Sequence, residues 1–273
     1  HSPIEPAARA MPADDPDILI EGRGPDAIVL IHGWPDTHRL WDAQVEALRG
    51  AYRCVRFTLP GFDRSDPART YSLDEILDRI GRVVERAGAG APVTLLLHDW
   101  GCFFGYQFAL RHPDRVRRIV GVDVGDAGSR RNLAELGLKA KAQVLAYQLW
   151  LAAAWRIGDS VGDRMARWMA RTARAPAPPA RITAQMGYPY YVQWIQRGFA
   201  AARLFKPVCP LLFVYGNRKP FMFHSTGWAD EVAARPGSRV IAFDCGHWVM
   251  TERPDAFNRA VLNWLQATDA TVG

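Results

Sequence analysis

Residues 93–105 read VTLLLHDWGCFFG. Val93 to Leu97 is a short, continuous apolar run with a β-branched start, which predicts a strand buried on both faces of a parallel sheet. His98-Asp99-Trp100-Gly101 breaks the run, and Cys102 to Arg111 follows with helical spacing. A strand that turns sharply into a helix lifts one side chain out at the carboxyl edge of the sheet, where a nucleophile can be presented. Asp99 holds that place.

The flanking sequence repeats the same alternation. Ala27 to Ile31 is an apolar run ending at His32-Gly33-Trp34-Pro35, and Cys54 to Leu59 is the next. Ser72 opens a helix to Ala87, with Glu75 three positions on as a capping box. Val116 to Val122, Leu211 to Tyr215 and Val240 to Phe243 are further strands, and Asp255 to Leu265 is a closing helix. Asp17 to Glu21 is a short early strand, and residues 1–16 read as a loose tail with no apolar signal segment. Strands alternating with helices predict the α/β class, a doubly wound, mostly parallel sheet. Between 126 and 206 the chain is Trp-, Ala- and Arg-rich with helical periodicity. It reads as a helical cap inserted into a core of residues 17–125 and 207–268.

Sites on such sheets lie outside the carboxyl ends of the strands. Trp34, Asp99, Asp123 and His247 all fall at those ends. An aspartate at the elbow has a distinct chemistry: it displaces at an sp3 carbon and leaves an alkyl ester of the protein itself. Strained ethers and carbons bearing a good leaving group are the substrates this implies. The plainer reading of Asp99 is a turn residue capping the helix that follows.

The totals are those of a globular chain. Its 273 residues are 49% hydrophobic, enough for one core with an inserted cap. The net charge of +6 comes from scattered arginines, with no nucleic-acid motif, so no nucleic-acid partner is expected. The apolar stretch Val144 to Trp155 is too short for a bilayer span, so no membrane partner is expected. Cys54, Cys102, Cys209 and Cys245 form no C-x-x-C pair and read as free thiols in a reducing cytoplasm. No His, Cys and carboxylate spacing suggests a metal, and no cofactor is expected. A homodimer is left open.

His98-Asp99-Trp100-Gly101 together with His32-Gly33-Trp34-Pro35 resembles the α/β-hydrolase branch of epoxide hydrolases and haloalkane dehalogenases. The resemblance runs from about Ile28 to Leu265 and is weakest over 126–206. It implies the α/β-hydrolase fold, with Asp99 as nucleophile and His247 as general base. The backbone N–H groups of Trp34 and Trp100 are the implied oxyanion donors. Two departures stand out. Leu97 sits where the tight elbow usually has a small residue, which predicts a more open or strained turn. Lys219 occupies the usual acid position of epoxide hydrolases, and a lysine cannot accept the imidazole N–H. Asp123 offers a substitute, as in several dehalogenases, with Asp126 in reserve.

Two electrophile classes remain. An opening epoxide needs phenol donors, and the cap carries Tyr147, Tyr188, Tyr190 and Tyr191; Tyr191 and Tyr147 are the expected pair. A leaving halide needs N–H donors, and Trp100 fits. Fluoroacetate chemistry is disfavoured, because Trp100 and Phe103 stand where those enzymes carry arginines. The sequence reads best as a hydrolase opening a small apolar epoxide to a diol, with water as co-substrate. Haloalkane dehalogenation is the alternative, and a non-catalytic binding relative is the third reading.

Overall fold

The computed structural model describes residues 15–270; most of the expected tail over 1–16 lies outside them. The strands are β1 (Leu19–Glu21), β2 (Ala27–Ile31), β3 (Arg53–Arg56), β4 (Val93–His98), β5 (Val116–Val122), β6 (Leu211–Gly216) and β7 (Arg239–Phe243). They form one sheet in the order β1-β3-β2-β4-β5-β6-β7, parallel throughout except for β1 on β3. β4 lies in the middle and is buried along its whole length, as its unbroken apolar run requires.

Helices α1 (Asp42–Leu48), α2 (Leu73–Gly88) and α3 (Trp100–Arg111) belong to the first half of the sheet. α2 opens with the Ser72–Glu75 capping box, both of its reciprocal hydrogen bonds being present. The segment between β5 and β6 is helical: α4 (Arg130–Glu135), α5 (Leu138–Ile157), α6 (Asp159–Thr172) and the short α7 (Tyr188–Tyr191). After β6 come α8 (Thr226–Ala233), α9 (Val249–Glu252) and α10 (Pro254–Asp269). α8 is one helix that the strand pattern alone did not reveal. The 53–56 strand also stops three residues before the apolar run does, because Phe57 and Leu59 are buried in the loop that follows.

Two apolar clusters sandwich the sheet. One gathers α2, α3 and the inserted helices around Val29, Leu95, Leu97 and Phe213. The other packs α1 and α10 against Ile28, Leu30, Leu96 and Val120. Alternate residues of β2 and β4 point to opposite faces, as the pleat demands. Among the described residues no helix is long and apolar enough to cross a membrane. The four cysteines are free, three of them buried.

Candidate active site

The elbow is built from absent side chains. Asp99 has φ 55° and ψ −123°, a strained conformation for a residue with a Cβ. A Cβ on Gly33 would lie 2.4 Å from Asp99 Oδ2, so only glycine lets the β2 loop close over the carboxylate. The bulk of Leu97 is taken up at Gly105 on α3, where an added Cβ would fall 2.5 Å from a Leu97 methyl. Leu97 is fully buried there. The large residue before the elbow is therefore matched by a missing one in the facing helix.

Asp99 Oδ2 accepts from the backbone N–H of Trp34 at 2.8 Å, and the carboxylate also accepts from the backbone of Trp100. Its other oxygen, Oδ1, lies 3.2 Å from His247 Nε2. His247 Nδ1 lies 2.5 Å from Asp123 Oδ2. Asp123 follows β5 with φ 67°, another left-handed non-glycine position, and its side chain is fully buried. The three residues thus form one continuous hydrogen-bonded row across the carboxyl ends of β4, β5 and β7.

Lys219 extends that row. Its Nζ lies 2.7 Å from Asp123 Oδ1 and also donates to the carbonyl of Gly216. The Gly216 backbone N–H gives Asp123 Oδ1 a second donor at 2.8 Å. The lysine at the customary acid position is therefore the counter-ion of an acid located one strand away. Asp126 is occupied elsewhere: it accepts from the backbone and hydroxyl of Ser225 and from the hydroxyl of Ser129, tying the β5 loop to the start of α8.

Electrostatics follow this arrangement. Burial pushes the His247 imidazolium down, but the Asp123 and Asp99 carboxylates outweigh it and raise the pKa to about 9. Burial alone would raise the Asp99 carboxyl; its hydrogen bond to His247 and the imidazolium charge hold it below the usual value. His98 and His32 are buried and driven to about 3 and 4, so both stay neutral. His98 Nε2 donates to the His247 carbonyl at 3.0 Å, fixing the backbone beneath the imidazole. His32 donates from Nδ1 to the Gly33 carbonyl and accepts at Nε2 from the Leu59 N–H, fixing the loop after β2. Asp36, next to that loop, is pushed up to about 7 by burial while accepting from the Trp248 indole at 2.9 Å. Nothing in the sequence marks this carboxyl as buried, because the Trp-Pro-Asp order offers no periodic signal.

A cavity of about 760 Å³ opens over Asp99, walled by Trp100, Phe103, Tyr147, Tyr190, Phe199 and Phe223. Its lining carries Asp99 as its carboxylate. Of the two tyrosines expected there, Tyr147 lines the cavity and Tyr191 does not. Tyr191 packs instead on Trp155, with ring centres 4.4 Å apart. The place belongs to Tyr190, because neighbours in a helical turn differ by about 100° in direction. Tyr190 packs edge-on to Trp100 and Tyr147. Burial first, and then the Asp99 charge, raise the Tyr190 phenol well above its ordinary value, and burial raises Tyr147 too. Both remain proton donors. Tyr188 is buried between Phe62 and Tyr71. Among the described residues no group of three or more His, Cys, Asp or Glu is arranged to hold a metal ion.

A strand-to-helix elbow on a doubly wound sheet, with a histidine and an acid at the carboxyl ends of other strands, is the layout of a class of hydrolase. The family model described as the alpha/beta hydrolase fold matches residues 26–254, and the chain belongs to that family. Epoxide hydrolase B of Mycobacterium tuberculosis is 36% identical over 120 residues, 42% of this chain and 32% of its own length. A cis-3-alkyl-4-alkyloxetan-2-one decarboxylase of Xanthomonas campestris pv. campestris is 28% identical over 171 residues, 57% of this chain and 54% of its own. The chain thus matches about half or less of these relatives' lengths. Among solved structures, an epoxide hydrolase of Bacillus megaterium aligns with a TM-score of 0.69 at 19% identity, covering 91% of this chain and 96% of that one. A haloalkane dehalogenase variant of Bradyrhizobium elkanii aligns at 0.63 and 17% identity, covering 93% and 94%. At those identities the structures show a shared fold. The proteins it resembles thus include epoxide hydrolases and a haloalkane dehalogenase.

Proposed function

We propose that the chain opens a small apolar epoxide to a diol through an alkyl ester on Asp99. The observation that carries this reading is the pair Tyr147 and Tyr190 facing the same cavity as Asp99, both with phenols held protonated. Asp99 Oδ1 attacks an epoxide carbon and the C–O bond breaks. The electron pair goes to the ring oxygen, which takes a proton from one of the two phenols. Oδ2 becomes the ester carbonyl oxygen and stays against the Trp34 and Trp100 N–H groups.

In the free enzyme His247, at a pKa of about 9, is an imidazolium between two carboxylates near neutral pH. Alkylation removes the Asp99 charge, so the histidine pKa falls. Its proton passes to the phenolate, directly or through water. The neutral imidazole then takes a proton from water, and hydroxide adds to the ester carbon. Charge develops on Oδ2, where the two N–H donors already stand. Collapse expels the diol oxygen with the proton from His247. Asp123 holds Nδ1–H and stabilises the imidazolium.

We treat residues 126–206 as the cap and Trp100, Tyr147 and Tyr190 as substrate contacts. The free cysteines support a reducing, cytoplasmic setting.

Haloalkane dehalogenation is the second reading. The acid after β5, hydrogen-bonded to His247, favours it. Against it, Tyr147 and Tyr190 place two protonated phenols in the cavity wall, which a leaving halide does not require.

Intact mass of a His247→Ala variant tests both. Without the base the ester accumulates, and incubation with a terminal epoxide should add the mass of the whole epoxide at Asp99. Alkyl addition with bromide release from a bromoalkane would transfer the protein to the second reading. A folded variant that gains no mass from either class would refute a covalent aspartate.

A further inference from the structure

The α5–α6 hairpin carries a surface that the chemistry at Asp99 does not use. Residues 138–174 hold seven Lys or Arg against two Asp, which is +5 of the chain's net +6. Arg167 pairs with Asp163 at 3.7 Å. Lys139, Lys141, Arg156, Arg164, Arg171 and Arg174 have no carboxylate partner among the described residues.

The same hairpin exposes large apolar side chains. Leu145, Leu149, Trp150, Ile157, Val161 and Trp168 are each more than a third exposed. On α6, Val161, Arg164, Trp168 and Arg171 recur at helical spacing of three and four, so apolar and cationic groups share one stripe. The Trp150 and Trp168 rings, 4.9 Å apart, join that stripe to the exposed face of α5. An apolar patch of this extent on a folded protein marks an interaction surface.

We propose that this hairpin docks on an anionic phospholipid surface. Aromatic and aliphatic side chains interleaved with arginine are what an interfacial helix uses: rings and methyls enter the headgroup boundary, and guanidinium groups meet phosphate. A two-fold contact between copies of the chain would instead set the same unpaired cations against each other. The sequence excluded a membrane partner because no apolar run is long enough to span a bilayer, but a hairpin lying on the surface needs no span. α5 has a second role here. Lys141 and Leu145 belong both to the exposed hairpin and to the wall of the Asp99 cavity. Docking therefore turns the cavity mouth toward lipid, where an apolar epoxide concentrates. Delivery of substrate rests on the proposed activity; docking does not.

Vesicle flotation of the whole protein, read without any turnover, tests it. The protein should float with phosphatidylcholine vesicles containing a third phosphatidylglycerol. It should bind phosphatidylcholine alone at least about tenfold more weakly, and high salt should release it. The double variant Arg164→Glu, Arg171→Glu and the single variant Trp168→Ser should each weaken binding by about tenfold or more. Neither touches the cavity, and an unchanged melting temperature establishes that they are folded. Failure of the folded protein to float with anionic vesicles overturns the proposal, as does equal binding by the variants. A dimer seen by light scattering and dissolved by Trp168→Ser, without vesicle binding, gives this face to a second copy and also overturns it.

Discussion

The carboxyl edge of the sheet and the inserted helices treat charge in opposite ways. At the edge, Asp99, His247, Asp123 and Lys219 are all buried or nearly so, and each is bonded to the next. On α5 and α6, the cations other than Arg167 have no carboxylate partner among the described residues and stand beside exposed tryptophans. The difference reflects how each element aims a side chain. A residue just past a parallel strand has its position set by the register of its neighbours: β4 on β5 and β5 on β6 fix where Asp99 and Asp123 must sit. A residue on a helix has its direction set by phase, and one step turns it by about 100°. The edge is thus a locked network, whereas single residues of the insertion can change with local consequences.

The severest test of the locked edge is Asp123→Asn. The amide cannot stabilise the imidazolium, and it leaves Lys219 buried without its counter-ion. Turnover should fall by roughly 10³- to 10⁴-fold, and melting temperature should drop as well. Near-normal turnover would break the comparison, since Asp126 is held by Ser225 and Ser129 and cannot replace it.

Lys219→Met sharpens it. The lysine is removed, so Asp123 faces His247 with its charge uncompensated on the other side. The histidine is then held more firmly protonated, and the pH at which ester hydrolysis reaches half its maximum should move to the alkaline side. Removing one member of a buried pair costs on the order of 3–5 kcal/mol. The Asp123→Asn, Lys219→Met double variant should be more stable than the sum of the two losses predicts. Strict additivity in denaturant melts would mean that the two residues are not coupled.

The same row gives a pH dependence of stability. His247 is raised from 6.5 to about 9 in the folded chain. Its contribution is therefore fully present below about pH 6.5 and is lost as pH rises through 9. Melting temperature should decline over that window, and His247→Gln should flatten the decline. An equal decline in the variant would assign it to other groups.

Legibility from sequence divides along the same line. Strand β4, the elbow and His247 could be read because a continuous apolar run, a break and a chain order leave few alternatives. Asp123 could be proposed because Lys219 is chemically unable to accept an imidazole N–H. That Lys219 would become the partner of Asp123 could not be read, since the pairing joins two loops 96 positions apart. Nor could Gly105 be read as the complement of Leu97, because the contact crosses from strand to helix. The cavity tyrosine, Tyr190, lies one position before the Tyr191 that the sequence suggests. In GYPYYVQW the short turn Tyr188–Tyr191 follows a 3₁₀ segment and leads into a wider π turn, so no steady period reports which tyrosine faces inward.

That one-residue distinction yields the finest prediction. Tyr190 lies in the cavity wall beside Trp100, so Tyr190→Phe should lower turnover of a neutral epoxide by about 10- to 100-fold, the scale expected when one of two proton donors is lost. Tyr147→Phe should behave similarly, and the double variant should lose more than either. Tyr191→Phe removes a hydroxyl from a ring whose work is to stack on Trp155. Its turnover should stay within about twofold of the parent, because no donor to the ring oxygen is lost. The contrast is informative because 190 and 191 share one backbone turn: any general loosening of the insertion would affect both variants alike, whereas a proton-transfer role affects only the residue that faces Asp99. Equal losses at 190 and 191 would show that the turn acts as packing, and the phenol would have to be sought at Tyr147 alone.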